Sequence, residues 1–329
     1  MRKAIPRSRG MLRVILVRAT TAALIVGSSA GHVAASDGAG WTAAVNLEAA
    51  TGSADSLNTS ALEGCPSQSR NGLDLYFASN RPGGYGNLDI YVSHRPTTGA
   101  PWGPPQNLGP TINTAGREFC PTPTRDGHGL LFVSDGRSDT CGGSDIYISW
   151  QDPTGWETPR DLGCQVNSAA DEASPFLLPD DHGGEMLYFS SNRGGGFDQS
   201  DSGAVSGDWD IYMASVTGNQ VAPATLVPGV NTKYDDVRPN LRRDGLELFF
   251  DSNRPGGCGS YDIWTATRSA NTAAWSDPAD LPCTVNSSAA DMRASISWDG
   301  TTLIFGSARA GGEGSSDLWM STRPPVFGN

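Results

Sequence analysis

The sequence predicts an all-β protein, a five-bladed β-propeller, from three observations. The first is punctuation. The chain holds 41 Gly and 22 Pro, and short apolar runs alternate with Asn-Gly, Asp-Gly and Gly-Gly pairs. No amphipathic helix pattern of useful length interrupts them, which is an all-β signature. The second is repetition: Ser79–Tyr91 reads SNRPGGYGNLDIY and Ser252–Trp264 reads SNRPGGCGSYDIW. The third is an unfinished last unit whose missing strand is found at the other end of the chain.

Five units align column by column. Each opens on an Asn followed by Ser or Thr: Asn58, Asn113, Asn167, Asn231 and Asn286. Five residues later stands an acid: Glu63, Glu118, Glu172, Asp236 and Asp291. Three further on comes Pro66, Pro121, Pro175 or Pro239, with Ala294 the exception. A hairpin turn follows, Asn71-Gly72 in the first unit and Asp244-Gly245 in the fourth, using residues that tolerate positive φ. Next is an apolar strand ending in Ser: Ser79, Ser134, Ser191, Ser252 and Ser307. A glycine loop carrying Arg81, Arg193, Arg254 and Arg309, with Arg137 offset by one, leads to the third strand. That strand opens on Asp89, Asp145, Asp210, Asp262 or Asp317, and each arginine is expected to pair with this acid. The fourth strand carries Trp and Leu six apart, as in Trp102/Leu108, Trp156/Leu162 and Trp275/Leu281. Repeated units of four short strands argue for propeller blades. The fifth unit ends without its fourth strand, but Trp41–Leu47 has the same Trp/Leu spacing. It is expected to complete blade five and close the ring, which removes exposed sheet edges.

The unit LYFASNRPGGYGNLDIY (Leu75–Tyr91) resembles the PD40 repeat, the WD40-like propeller repeat of TolB-type periplasmic proteins. The resemblance covers nearly all of the chain after its N-terminal segment. It implies a propeller strongly and a function weakly, because one fold hosts many functions.

Residues 1–35 read as a secretory signal, leaving 36–329 as a single propeller domain. Arg2, Lys3, Arg7, Arg9, Arg13 and Arg18 form a basic region, Ala19–Val26 is a short apolar core, and Val33-Ala34-Ala35 is a small-residue cleavage site. Met11 is an alternative start. The apolar run is too short to span a bilayer. Removing six basic residues and no acid takes the net charge from −12 to −18. Such a surface repels nucleic acid and anionic lipid. The expected location is secreted or periplasmic, where six cysteines imply disulfides.

The repeat narrows the disulfide pairing. Cys141 and Cys258 lie four residues before Asp145 and Asp262, while Cys164 and Cys283 lie three before Asn167 and Asn286. The two columns are filled together, in the second and fourth units, which pairs Cys141 with Cys164 and Cys258 with Cys283. Cys65 and Cys120 remain, each two residues after its acid, and are expected to pair across blades one and two. The alternative for these two is buried free thiols.

Candidate chemistry is sparse. The acid column, Glu63, Glu118, Glu172, Asp236 and Asp291, opens the innermost strands and is expected to ring one channel mouth, where carboxylates attract ligands or Ca²⁺. Arg238 and Arg293, two residues after their acids, would neutralise part of that ring. The alternative is that each acid caps its own turn or pairs with a nearby base. Unit three carries a longer loop in which Asp198, Asp201 and Asp208 form a loose cation loop, or simply a solvated acidic insertion. No G-x-S-x-G elbow and no H-E-x-x-H is present, and His94, His128 and His182 fall at strand ends or turns. Five-bladed folds include glycosidases that use inner-strand carboxylates, but the repeated columns single out no catalytic pair. The expectation is therefore an exported, non-enzymatic binding or scaffolding propeller that engages a protein, peptide or cell-envelope glycan through its loop face. The alternatives are a five-bladed glycosidase or lyase and a Ca²⁺-dependent lectin-like module.

Overall fold

The computed structural model describes residues 40–53, 56–179, 184–197, 206–218 and 220–326. The expected signal segment, Asp198, Asp201 and His182 lie outside the described residues.

Five antiparallel sheets follow one another along the chain. Blade one is built from Glu63–Gln68, Asp74–Ser79, Asp89–His94 and Gln106–Asn107. Blade two uses Glu118–Pro123, Gly129–Ser134, Asp145–Asp152 and Arg160–Asp161. Blade three uses Glu172–Pro179, Glu185–Arg193, Ser206–Thr217 and Thr225–Leu226. Blade four uses Asp236–Leu241, Glu247–Ser252, Asp262–Thr267 and Ala279–Asp280. Blade five uses Asp291–Ile296, Thr302–Ser307 and Asp317–Thr322, and its fourth strand is Val45–Asn46. The first strands of successive blades neighbour one another around the ring, so they are innermost. No helix among the described residues is long and apolar enough to cross a membrane.

The N-terminal segment closes the ring as expected. Val45 pairs with Met320 and Asn46 with Trp319, while Thr42 N donates to Thr322 O at 2.8 Å. The fourth strands are shorter than their Trp/Leu spacing suggests, with two paired residues each. The tryptophans lie just outside them and serve as platforms for arginines. Arg95 sits 4.0 Å from the Trp102 ring centre, Arg268 4.2 Å from Trp275 and Arg323 4.5 Å from Trp41. Short outer strands present little free edge to another chain.

The core lies between blades. Phe77, Phe132, Phe189, Phe250 and Phe305 occupy one column of the second strands, and all are fully buried. Burying one such ring stabilises by roughly 1.5–3 kcal/mol. The asparagine column couples neighbours. Asn113 Oδ1 accepts from Ile90 N at 2.8 Å and its Nδ2 donates to Ile90 O at 3.0 Å, so blade two holds the third strand of blade one. Asn167, Asn231 and Asn286 repeat this on Ile146, Ile211 and Ile263.

Candidate functional site at the channel mouth

None of the acid column lines the cavities at the channel. All five carboxylates are fully buried, and their oxygens are taken up inside their own units. Glu63 accepts from Thr59 N and Oγ1 at 2.9 and 2.8 Å and from Ser79 Oγ at 2.7 Å. Thr114 and Ser134 do the same for Glu118, Ser168 and Ser191 for Glu172, and Ser287 and Ser307 for Asp291. This explains why Ser or Thr follows each Asn and why each second strand ends in Ser.

The loop arginines pair with these same acids, not with the acid of the third strand as their spacing suggested. Arg81 Nη2 lies 3.1 Å from Glu63, Arg193 2.9 Å from Glu172 and Arg309 2.5 Å from Asp291, and Arg254 contacts Asp236. The third-strand acids have other donors: Asp89 accepts from the backbone N–H of Tyr85 and Gly86 at 2.5 and 3.0 Å. Arg137 departs from the pattern: it donates to the carbonyls of Thr111 and Ile112, at 3.2 and 2.6 Å, and makes no ion pair among the described residues. Burial pushes the Glu118 carboxyl up, opposed by its hydrogen bonds to Ser134 and Thr114.

Three disulfides form in the expected pairing. Cα atoms are 5.6 Å apart in Cys141–Cys164, 5.7 Å in Cys258–Cys283 and 4.7 Å in Cys65–Cys120. The first two tie a glycine loop to the connection that enters the next blade. The third joins the innermost strands of blades one and two.

Cys65 and Cys120 also mark a bulge common to all blades. Each innermost strand shifts register after its second residue. The bulged residue there takes a left-handed backbone: Cys65, Cys120, Ser174, Arg238 and Arg293 have φ between 48° and 65°. Such a backbone costs about 1–3 kcal/mol per non-glycine residue, so packing elsewhere must hold it. Its five-fold recurrence makes the bulge part of the fold. What differs between blades is the side chain set at the channel.

Those differences build an asymmetric cavity of about 300 Å³ at the mouth. Asp171 and Asp235, the residues just before the acid column in blades three and four, stand at its rim. Asp171 Oδ1 accepts from Ser144 N at 2.8 Å and Ser144 Oγ at 3.0 Å, and Asn192 Nδ2 approaches Oδ2 at 3.4 Å. Asp235 Oδ1 accepts from Trp209 N at 3.1 Å, and its Oδ2 accepts a hydrogen bond from the Tyr261 hydroxyl. Phe119, Trp209 and Tyr261 supply aromatic wall. Burial and the Asp235 carboxylate both push the Tyr261 hydroxyl up, so it remains a donor.

Arg238 and Arg293 form the floor. They do not neutralise the acid column. Arg238 Nη1 instead meets Asp251 Oδ2 at 3.2 Å, and Arg293 N donates to the same oxygen at 2.7 Å. Asp251 is fully buried, and burial pushes its carboxyl up to about 6 against the pull of Arg238. Burial, then the neighbouring Arg238, lowers Arg293 to about 10.

Two groups of metal-ligating residue types occur among the described residues, Cys258/Asp280/Cys283 and Cys141/Asp145/Asp161. Both include sulfur already held in a disulfide, so neither offers a thiolate. Asp208, the described member of the expected cation loop, is partly buried at the start of the third strand of blade three, where its charge helps raise Asp210 to about 7, burial being the larger cause.

Against known proteins, no family model and no curated protein matches the sequence. Solved structures do match the fold. A thermostable family-43 glycoside hydrolase is 11% identical, with a TM-score of 0.55 over 84% of this chain and 98% of that one. An α-L-arabinofuranosidase from Lactobacillus brevis is 13% identical, at TM-score 0.54 over 85% and 94%. The native arabinanase of Bacillus subtilis is 15% identical, at TM-score 0.54 over 80% and 94%. The chain shares its fold with five-bladed glycosidases. The propeller implied by the PD40 resemblance stands, while no model of that repeat family matches. The non-enzymatic scaffold does not stand: these neighbours are enzymes by name, and the mouth carries the asymmetric carboxylates that repetition appeared to exclude.

The repeat columns hid the site. Asp171 and Asp235 sit one residue before the repeated acid, where blades differ, while Arg238 and Arg293, two after it, are legible in the sequence but assigned there to the acid column. The clearest missed signal is Asp251, which stands where the other second strands carry Ala78, Val133, Ser190 and Gly306.

Proposed function

We propose that the protein is a carbohydrate-active enzyme that cleaves a glycosidic bond at the channel mouth. The observation that carries this is the pair of rim carboxylates, Asp171 and Asp235, facing one cavity walled by Phe119, Trp209 and Tyr261. Glycoside hydrolysis needs two carboxylates flanking the bond, one to protonate the leaving oxygen and one to attack or to activate water. Aromatic faces suit the apolar faces of sugar rings, with a few polar groups fixing orientation. The glycosidase names of the fold neighbours support the same substrate class.

The hydrogen bonds suggest a division of roles. Asp235 Oδ1 accepts from Trp209 N, and its Oδ2 accepts from the Tyr261 hydroxyl and, at 3.4 Å, from Asn253 Nδ2, so both its oxygens are held in place. Asp171 Oδ2 meets only the Asn192 amide at 3.4 Å, so it is the freer oxygen to aim at a leaving group. In this reading Asp171 is the general acid and Asp235 the second carboxylate, which attacks or activates water. An exported location, tied down by three disulfides, suits a polymeric substrate outside the cell.

The test is release of reducing sugar from arabinan, arabinoxylan, xylan and pectic polymers. Wild type is expected to act on at least one, and Asp235→Asn to lose about 10²–10⁴-fold with unchanged melting. No release from any polymer, or an Asp235→Asn enzyme as fast as wild type, overturns the reading.

A further inference from the structure

The cavity floor carries more positive charge than the protein neutralises. Arg238 pairs its guanidinium with the carboxylate of Asp251, which Arg293 touches only through its backbone N–H. The Arg293 guanidinium has no hydrogen-bond or ion-pair partner among the described residues, yet it lines the cavity. Its space is built in. A Cβ added at Gly64 would lie 2.7 Å from Arg293 Nη1, and the equivalent positions in other blades hold Phe119, Ala173, Val237 and Met292. Ser190 Oγ accepts from Arg238 N at 2.7 Å and Met292 Sδ lies 3.5 Å from Arg238 Nη1, which fixes the second guanidinium.

An enclosed cation without a partner is costly, and a planar guanidinium is best matched by a carboxylate taken in two parallel hydrogen bonds. The net charge of −12 makes this floor a local exception, so it selects for an anion inside the cavity and not for polyanions at large. We propose that Arg293, supported by Arg238, binds the carboxylate of a uronate residue, so that the glycan taken at the mouth is an acidic one. The inference rests on the glycan-cleaving reading above for its substrate class. Asp171 and Asp235 at the rim would then act one step away from the anchored carboxylate, and Asp251 limits the floor to a single excess charge.

Calorimetric titration tests this with oligogalacturonate and glucuronoxylan oligosaccharides, each against its neutral counterpart, and with inorganic sulfate. In wild type, one acidic ligand is expected to bind at least about tenfold tighter than its neutral partner, equivalent to about 1.4 kcal/mol. Arg293→Met should remove that preference and Arg293→Lys keep part of it. If Arg293→Met does not fold, Arg238→Met and the loss of wild-type preference with rising salt decide the matter. Equal binding of acidic and neutral ligands overturns the proposal, as does a preference that survives Arg293→Met. Sulfate binding as tightly as the uronate overturns it too, since the floor is then a plain anion site. A neutral glycan cleaved with no acid preference sinks this inference and spares the glycosidase reading. An Arg293-dependent acid preference without cleavage does the reverse.

Discussion

Asn58 holds Leu318 by both ends of its amide: Oδ1 accepts from Leu318 N at 2.7 Å, and Nδ2 donates to Leu318 O at 3.3 Å. The two residues are 260 apart in sequence, so this contact repeats the clamp seen between successive blades and applies it across the ring closure. Val45–Asn46 seals the same blade from outside. Closure therefore rests on a buried side chain as well as on a strand.

Asn58→Ala should cost about 1–3 kcal/mol, because the buried backbone groups of Leu318 lose their partners. For a chain of this size that is several degrees of melting temperature. Deleting Trp41–Leu47 should do more, exposing the edge of Asp317–Thr322 and producing aggregation. Differential scanning calorimetry and light scattering read both outcomes. A monomeric truncation with unchanged melting would show that closure adds nothing.

The acid–arginine clasp varies between blades in a way that can be measured. Asp236 is fully buried and paired with Arg254, whereas Arg137 makes no ion pair with Glu118. Removing one partner of a buried pair strands a charge, at about 3–5 kcal/mol. Arg254→Met should therefore lower the denaturation midpoint much more than Arg137→Met. Equal losses would mean that the arginines act through their carbonyl bonds alone.

Blades two and four each set two carboxyls face to face. In blade one Asn107 Nδ2 donates to Asp89 at 2.8 Å, but the corresponding residues in those blades are Asp161, against Asp145, and Asp280, against Asp262. Burial, then the charge of Asp262, pushes Asp280 up to about 7 from an ordinary value of 3.8. The folded state thus binds this proton more tightly than the unfolded chain. The resulting stability is complete below about pH 4 and is lost as pH rises through 7. Asp280→Asn restores the blade-one donor and should melt above wild type at pH 8, with the gap closing toward pH 4. A gap independent of pH would contradict the raised Asp280 carboxyl.

Much of this molecule could be read from its repeats. The blade count, ring closure and disulfide pairing were legible because each is a relation between columns, and columns are visible in one chain. Cys141 and Cys164 could be matched because Cys258 and Cys283 recur at the same offsets. The arginine partners were not legible. Arg81 lies 8 residues from Asp89 and 18 from Glu63, and only the folded loop shows that it turns back to the more distant acid. The site was hidden for the opposite reason. Asp171 and Asp235 belong to no column, so they look like noise until the fold brings them around one cavity, whereas Arg238 and Arg293 are visible in the sequence but read there as partners of the acid column.

The proposed cleavage of a glycosidic bond by Asp171 and Asp235 is tested most directly by comparing two leaving groups on one variant. Asp171→Asn and wild type are assayed on the polysaccharide that wild type degrades and on a dinitrophenyl glycoside of the same sugar. Loss of a general acid should slow the polysaccharide reaction about 10²–10⁴-fold while leaving the activated glycoside much less affected, since its leaving group needs no proton. Equal rates for variant and wild type on the polysaccharide, or the same fractional loss on both substrates, would contradict the assignment.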